Sequence, residues 1–397
     1  MSNFCVLPFN SVSIAPTGDL RPCCNAYDAG FGINVKDISL EEIINNKKIT
    51  ALRDSFLKDV KDSSCDRCWQ IEKIGNRSFR HVANTDKSYG EKSIIPIKKN
   101  NTIDFLDIQY IDITLGNKCN LACRMCNPYS SSLLAKQLKE MNEYKGQDLF
   151  DFDRNTKDKI LDFISKAENL NTLYMLGGEP LINEFHDEIV ELLIKKDRAK
   201  HISIHYSTNL QIDIEKFLEL WAKFKFVDLN ISIDGSHQYY EYVRWPGKWS
   251  KVFNNLKRAC EFRKEANFYP VVATTVQNLN AVNIYDLVSE CSELSGTYVP
   301  FFFIPVTGSN YLEITPTEVL EQEMNKIRTL PDPYGRIQEL VQHYASSIEK
   351  SKSLNKTAVQ EFFEKQKKFD SVRKQNLFEL LPYMKDFANA YNIESWK

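Results

Sequence analysis

Three cysteines fall within eight residues in the stretch Cys119-Asn120-Leu121-Ala122-Cys123-Arg124-Met125-Cys126. A structural zinc site takes four ligands, and disulfides use cysteines in pairs. Three thiolates suit three irons of a [4Fe–4S] cluster and leave the fourth iron open to a substrate or cofactor. A fourth cysteine would close the cluster for electron transfer. Two blander readings compete: zinc completed by a distant histidine, or three buried thiols. The chain has only six histidines, none near this loop in sequence, and a trio in eight residues has no packing rationale.

A second set is spaced differently. Twelve residues separate Cys5 from Gly18, four more lead to Cys23, and Cys65-Asp66-Arg67-Cys68 comes later. Four thiolates from a hairpin and a CxxC knuckle can saturate either Zn²⁺ or a [4Fe–4S] cluster, and spacing does not choose. Cys24 can substitute for Cys23 in this set. Cys260 and Cys291 sit in helical patterns and read as small buried thiols.

These residues need elements to hold them. The three-cysteine loop directly follows the strand-like run at 109–115. Further apolar or β-branched runs recur at 172–176, 201–206, 227–233, 270–276 and 299–305, with helical patterns between them. Six strands alternating with helices predict a parallel α/β sheet, whose active sites assemble at the C-terminal strand ends. Before this core, residues 1–80 read as a cysteine-bearing module. SVSIAPTGDLRPCC is a hairpin turning at Pro16–Asp19, and Ser39 with Glu42 makes a capping box for a helix carrying Ile43, Ile44, Ile49, Leu52 and Phe56. Residues 81–104 are polar and lysine-rich, as a linker would be. The core spans 105–314, and 315–397 read as helices broken around Leu330–Pro333. Phe301–Phe303 are assigned to the core, and the lysines at 98–99 and 365–368 to solvated faces.

Charge is nearly balanced, 51 basic against 53 acidic residues in 397, so no nucleic-acid footprint is present. The opening MSNFCVLPFN lacks the basic and apolar regions of a secretory signal, and no run of about 18 apolar residues occurs. The expectation is a cytoplasmic protein without a membrane span, in which cysteines serve metals or catalysis.

Cys-x3-Cys-x2-Cys after a first strand resembles the radical SAM superfamily. The resemblance implies a full or partial (β/α)6 barrel over roughly residues 105–310. It also implies that the open iron binds S-adenosylmethionine, which is cleaved reductively to a 5′-deoxyadenosyl radical that abstracts hydrogen. The residue before the last cysteine, commonly aromatic in the family, is Met125 here. Further motifs agree in order. Gly177-Gly178-Glu179-Pro180 matches the GGEP motif, with Glu179 accepting from the ammonium of S-adenosylmethionine. Ser207 and Asn209 end the third strand, and Ser232 and Asp234 end the fourth in a segment resembling the ribose- and carboxylate-contacting one. Arg244 is matched to the methionyl carboxylate, and the sixth strand to the adenine.

Cys5, Cys23, Cys65 and Cys68 resemble the twitch and SPASM auxiliary modules, here a one-cluster version placed before the barrel. That implies an auxiliary [4Fe–4S] cluster for electron transfer, an external donor such as flavodoxin or ferredoxin, and net oxidation of a sugar-like small molecule or a peptide. No catalytic base is identified. The competing reading is a non-catalytic zinc or Fe–S protein that retains the fold.

Overall fold

The computed structural model describes residues 3–26, 30–73, 75, 77–86, 101–263, 266–305 and 311–396. Most of the expected linker at 81–104, with Lys98 and Lys99, lies outside the described residues; 81–85 belong to helix Phe79–Thr85. The chain divides into two compact units: residues 1–119, 147–207 and 215–228, and residues 120–146, 208–214 and 229–397.

In the first unit, β1 (Ser11–Ile14) and β2 (Leu20–Arg21) form the expected antiparallel hairpin. Its turn uses Gly18 at φ 87°, with the Gly18 amide donating to Ala15 O at 2.9 Å. β3 (Tyr110–Thr114), β4 (Thr172–Leu176) and β5 (Ser203–Thr208) follow. Neighbours run β5-β4-β3-β1-β2. β1 lies parallel to β3, with Ser13 opposite Asp112, so the N-terminal hairpin extends the sheet of the core.

The expected N-terminal helix is two helices, Leu40–Asn45 and Lys47–Leu57. Asn46 breaks it, because its side chain caps the amides of Lys48 and Ile49 in place of continuing the helix. The Ser39–Glu42 capping box is present, and all five predicted apolar residues are buried.

Alternation positions the side chains of the sheet. Along β5, buried Ile204, Tyr206 and Thr208 alternate with half-buried Ser203, His205 and Ser207. Helix Glu184–Lys195 covers the buried face, where His186 Nε2 meets Tyr206 Oη at 2.9 Å. The half-buried residues of β5 therefore face away from that helix.

The second unit holds most of β6 (Phe226–Ser232), then β7 (Phe268–Val276), the short pair β8 (Glu293–Leu294) and β9 (Thr297–Tyr298), and β10 (Phe301–Pro305), with neighbours in the order β10-β7-β6. The six core strands fall within two residues of their predicted ends, and the class is the expected mostly parallel α/β one. Phe301 is buried but Phe302 is exposed, because β10 is an edge strand with alternating faces. The core assignment of Phe302 is thus corrected. C-terminal helices Lys356–Arg373, Leu377–Leu380 and Tyr383–Ala390 bury Val359, Phe362, Phe363, Leu377 and Met384 against Tyr242, Val243 and Leu279. Among the described residues, no helix is long and apolar enough to cross a membrane.

Candidate active site

Cys5, Cys23, Cys65 and Cys68 line one cavity in the first unit, together with Ala26, Phe79 and Arg80. The hairpin brings Cys23, and the turn Ser63–Cys65 running into helix Asp66–Lys73 brings Cys65 and Cys68. Cys24 does not line the cavity. Asn25 Nδ2 donates to Cys68 Sγ at 3.6 Å. Arg80 is fixed behind the site by both oxygens of Glu72, at 2.9 and 2.7 Å, and by Phe4 O at 2.8 Å. Burial pushes the Cys5 and Cys65 thiols up to about 12, and the neighbouring cysteines push in the same direction. Thiols crowded this way keep their protons until a positively charged metal centre displaces them. The sulfurs do not meet at a point: among the described residues, no three His, Cys, Asp or Glu side chains are grouped to hold a single metal ion.

Cys119 belongs to the first unit, and Cys123 and Cys126 belong to the second. In the first unit the GGEP segment locks onto the start of the loop. Gly178 N donates to Gly116 O at 3.1 Å and Glu179 N to Lys118 O at 2.9 Å. A Cβ on Gly178 would stand 2.5 Å from Asn117 O and 2.6 Å from Lys118 O, so only glycine fits. Glu179 is buried, and Oε1 accepts from Leu181 N at 3.2 Å. Ser207 Oγ meets Tyr174 Oη at 3.0 Å.

In the second unit, Arg244 Nη1 reaches Cys123 Sγ at 3.8 Å, and its Nε pairs with Asp234 Oδ2 at 2.7 Å. Asp234 Oδ1 accepts from Thr275 N at 2.6 Å. Both oxygens of Asp234 are thus engaged, and it acts at the loop through Arg244. Burial raises the Cys123 thiol, an effect that Arg244 opposes. Asn209 Nδ2 donates to Asn120 Oδ1 at 2.8 Å, which braces the loop from the end of β5. Ser232 is half-buried at the end of β6, and Met125 packs on the core of the C-terminal helices.

Residues 113–287 match the Radical SAM superfamily, and residues 5–69 match an iron–sulfur cluster-binding domain of the SPASM type. The radical SAM resemblance is borne out over residues 113–287. Among curated relatives, a probable GTP 3′,8-cyclase of Methanocaldococcus jannaschii is 24% identical over 232 residues, 56% of this chain and 70% of that one. A GTP 3′,8-cyclase of Clostridium perfringens is 23% identical over 230 residues, 57% of this chain and 65% of that one. Among solved structures, anSMEcpe with bound AdoMet and Cp18Cys peptide aligns at 17% identity and TM-score 0.37, covering 53% of this chain and 57% of that one. SuiB of Streptococcus suis bound to S-adenosylmethionine aligns at 15% identity and TM-score 0.36, covering 85% and 68%.

The radical SAM and SPASM domains imply an S-adenosylmethionine-binding [4Fe–4S] cluster and an auxiliary iron–sulfur cluster. The donor sets fit both: four thiols around one cavity, and a three-cysteine loop with an arginine against Cys123. The sequence reading missed the clamp on the radical SAM loop within the second unit. Arg124, fully buried, stacks 3.6 Å over the Tyr242 ring and pairs with Asp370 at 2.6 Å. Its guanidinium also donates to Gln366 Oε1 at 2.7 Å, Gln375 Oε1 at 2.9 Å and Tyr242 O at 3.0 Å. Arg373 Nη2 holds Ala122 O at 2.6 Å. The C-terminal helices therefore grip the loop between its cysteines. The signal available in sequence was Arg124 itself, a charge set between two of the cysteines. Lys365 is half-buried beside this cluster of charges, which corrects its assignment to a solvated face.

Proposed function

We propose that the chain is an enzyme that reductively cleaves S-adenosylmethionine and uses the 5′-deoxyadenosyl radical to take hydrogen from a substrate carbon. The outcome is oxidation of a peptide or protein side chain, or of a sugar-like small molecule. One observation carries this reading: an open set of three cysteines follows β3 of a radical SAM domain, while a closed set of four lines a separate cavity. Cys119, Cys123 and Cys126 hold the first cluster, and Cys5, Cys23, Cys65 and Cys68 hold the auxiliary one. The exclusion of Cys24 from the cavity supports Cys23 as the ligand.

When bound, the open cluster supplies the electron that breaks the sulfonium carbon–sulfur bond. The chain's own residues bind and orient. Gly177 and Gly178 let the end of β4 close on the cysteine loop. Glu179 offers a carboxylate to the ammonium, and Arg244, fixed from behind by Asp234, offers its guanidinium to the methionyl carboxylate. Met125, Ser207, Asn209 and Ser232 complete the cofactor's surroundings. The relatives by name include GTP cyclases and peptide-bound enzymes, so both a small molecule and a peptide remain within the class. An electron donor such as flavodoxin or ferredoxin completes the system.

Anaerobic reconstitution should give about eight irons per chain, and the reduced protein should release 5′-deoxyadenosine. Cys123→Ala should retain about four irons and release none. Cleavage by Cys123→Ala at the wild-type rate, or zinc without iron at both sites, sinks the proposal.

A further inference from the structure

The register of the first unit aligns polar side chains in one row across the sheet. Ser13 on β1 stands opposite Asp112 on β3, Asp112 opposite Tyr174 on β4, and Tyr174 opposite His205 on β5. Asp228 on β6 continues the row, with His205 Nδ1 and Asp228 Oδ2 at 3.0 Å. His205 lies on the sheet face turned away from helix Glu184–Lys195, since its neighbour Tyr206 points at that helix.

None of these side chains is needed to hold a cluster or S-adenosylmethionine in the reading above. Three of their atoms are anomalous, Asp112 Oδ2 among them. His205 Nε2 and Asp228 Oδ1 are buried and have no hydrogen-bond partner among the described residues. Stranding a buried polar atom is costly, so a native site that does so repeatedly calls for an explanation. The side chains themselves are 22% and 24% exposed, which leaves an approach to them.

The chemistry of the row is one-sided. A carboxylate only accepts, so His205 Nδ1 donates to Asp228 Oδ2, and in the tautomer with its proton on Nδ1 the ring presents Nε2 as an acceptor. Asp228 Oδ1 is an acceptor too. Asp112 adds a second acidic group, 2% exposed, with Ser13 Oγ donating to Oδ1 at 3.1 Å. Burial lifts its carboxyl to about 7, so it accepts or donates near neutrality. Phosphate groups bring only negative charge and acceptors, and such a row repels them.

We infer that Asp112, Tyr174, His205 and Asp228 form the substrate-recognition row, and that it takes a substrate presenting hydroxyl or amino hydrogens, not a nucleoside triphosphate. His205 Nε2 accepts from that hydroxyl or amine, and Asp228 is the positioning residue that fixes the ring. The row also ends at the auxiliary module: Cys24, the residue after Cys23, lies beside Asp112. This names the substrate class for the radical chemistry proposed above and rests on that reading.

The test reads binding, so its failure is distinct from a failure to form 5′-deoxyadenosine. The reconstituted protein with S-adenosylmethionine is titrated calorimetrically with glucosamine, myo-inositol, a serine-containing peptide and GTP. At least one of the first three should bind in the millimolar range or tighter, and GTP should not. The small molecules and the peptide distinguish the two sources of the same donor chemistry. His205→Gln should weaken that binding about tenfold, the loss of one buried hydrogen bond. Should His205→Gln fail to fold, Tyr174→Phe removes one hydroxyl from the row with little change of shape and should weaken it several-fold. In ¹⁵N spectra His205 should carry its proton on Nδ1, and Asp228→Asn should shift that balance. GTP binding as tightly as the polyol or amine, no binding by any donor-rich probe, or variants that bind like wild type would overturn the inference.

Discussion

Removing the carboxylate of Asp370 should loosen the cysteine loop from a distance. Asp370 is 1% exposed and Arg124 is 0% exposed at the side chain. Its Oδ1 takes Arg124 Nη2 at 2.6 Å and Tyr242 Oη at 2.9 Å, and its Oδ2 takes Leu377 N at 2.7 Å and Trp396 Nε1 at 2.9 Å. Asp370→Ala strands all four donors at once. The guanidinium keeps Gln366, Gln375 and the Tyr242 ring, which soften the loss without replacing the charge. Breaking a buried pair by removing one partner costs about 3–5 kcal/mol, and the second unit should lose about that much. Asp370→Asn should cost less, because its carbonyl still accepts. Arg124→Met with Asp370→Leu should cost less than the two single losses added, since no charge is left buried alone. Urea unfolding followed by circular dichroism measures the stability, and iron content with 5′-deoxyadenosine release measures the loop. Asp370→Ala should fall toward about four irons per chain, with the auxiliary site filled. If Asp370→Ala unfolds within about 0.5 kcal/mol of wild type and keeps all its iron, the clamp is not what holds the loop.

Gly178→Ala should abolish S-adenosylmethionine cleavage. Its Cβ would meet the Asn117 and Lys118 carbonyls at 2.5 and 2.6 Å, and backbone must move to admit it. Iron analysis and product release read the result, and wild-type turnover would refute the packing argument. Stability should also follow the charge of Asp112. Burial raises its carboxyl to about 7 in the folded chain, against about 4 unfolded. The stability it contributes is therefore complete below about pH 4 and lost as pH rises to about 7. Asp112→Asn, which cannot ionise, should gain on wild type by up to about 1.4 kcal/mol per pH unit in that window and level off above it. Urea midpoints of both proteins at several pH values check this, and a pH-independent difference would contradict it.

The strands were legible because each is a short apolar or β-branched run, and the cysteine sets because their spacing is itself the chemistry. The capping box and the Gly18 turn were local too, and both are present. What escaped needed distance or register. Arg124 finds Asp370 across 246 residues, and no local pattern announces that pairing. Asp112, Tyr174 and His205 look like isolated polar residues in three strands, and become one row only when the parallel registers are known. GGEP read as a cofactor motif, whereas half of its glycine requirement comes from the neighbouring backbone. Asn46 broke a helix whose apolar spacing ran straight through it, since one side-chain cap outweighs periodicity locally.

The pairing of β1 with β3 has a consequence for the order of synthesis. Val12 sits opposite Ile111, so β1 finds its parallel neighbour only after about a hundred further residues have emerged. Until then β1 is an open edge carrying the hairpin that brings Cys23. A chain cut to start at residue 105 would expose β3 instead, and unpaired edges of that kind invite self-association. Completion of the core sheet is thereby tied to one late event in translation.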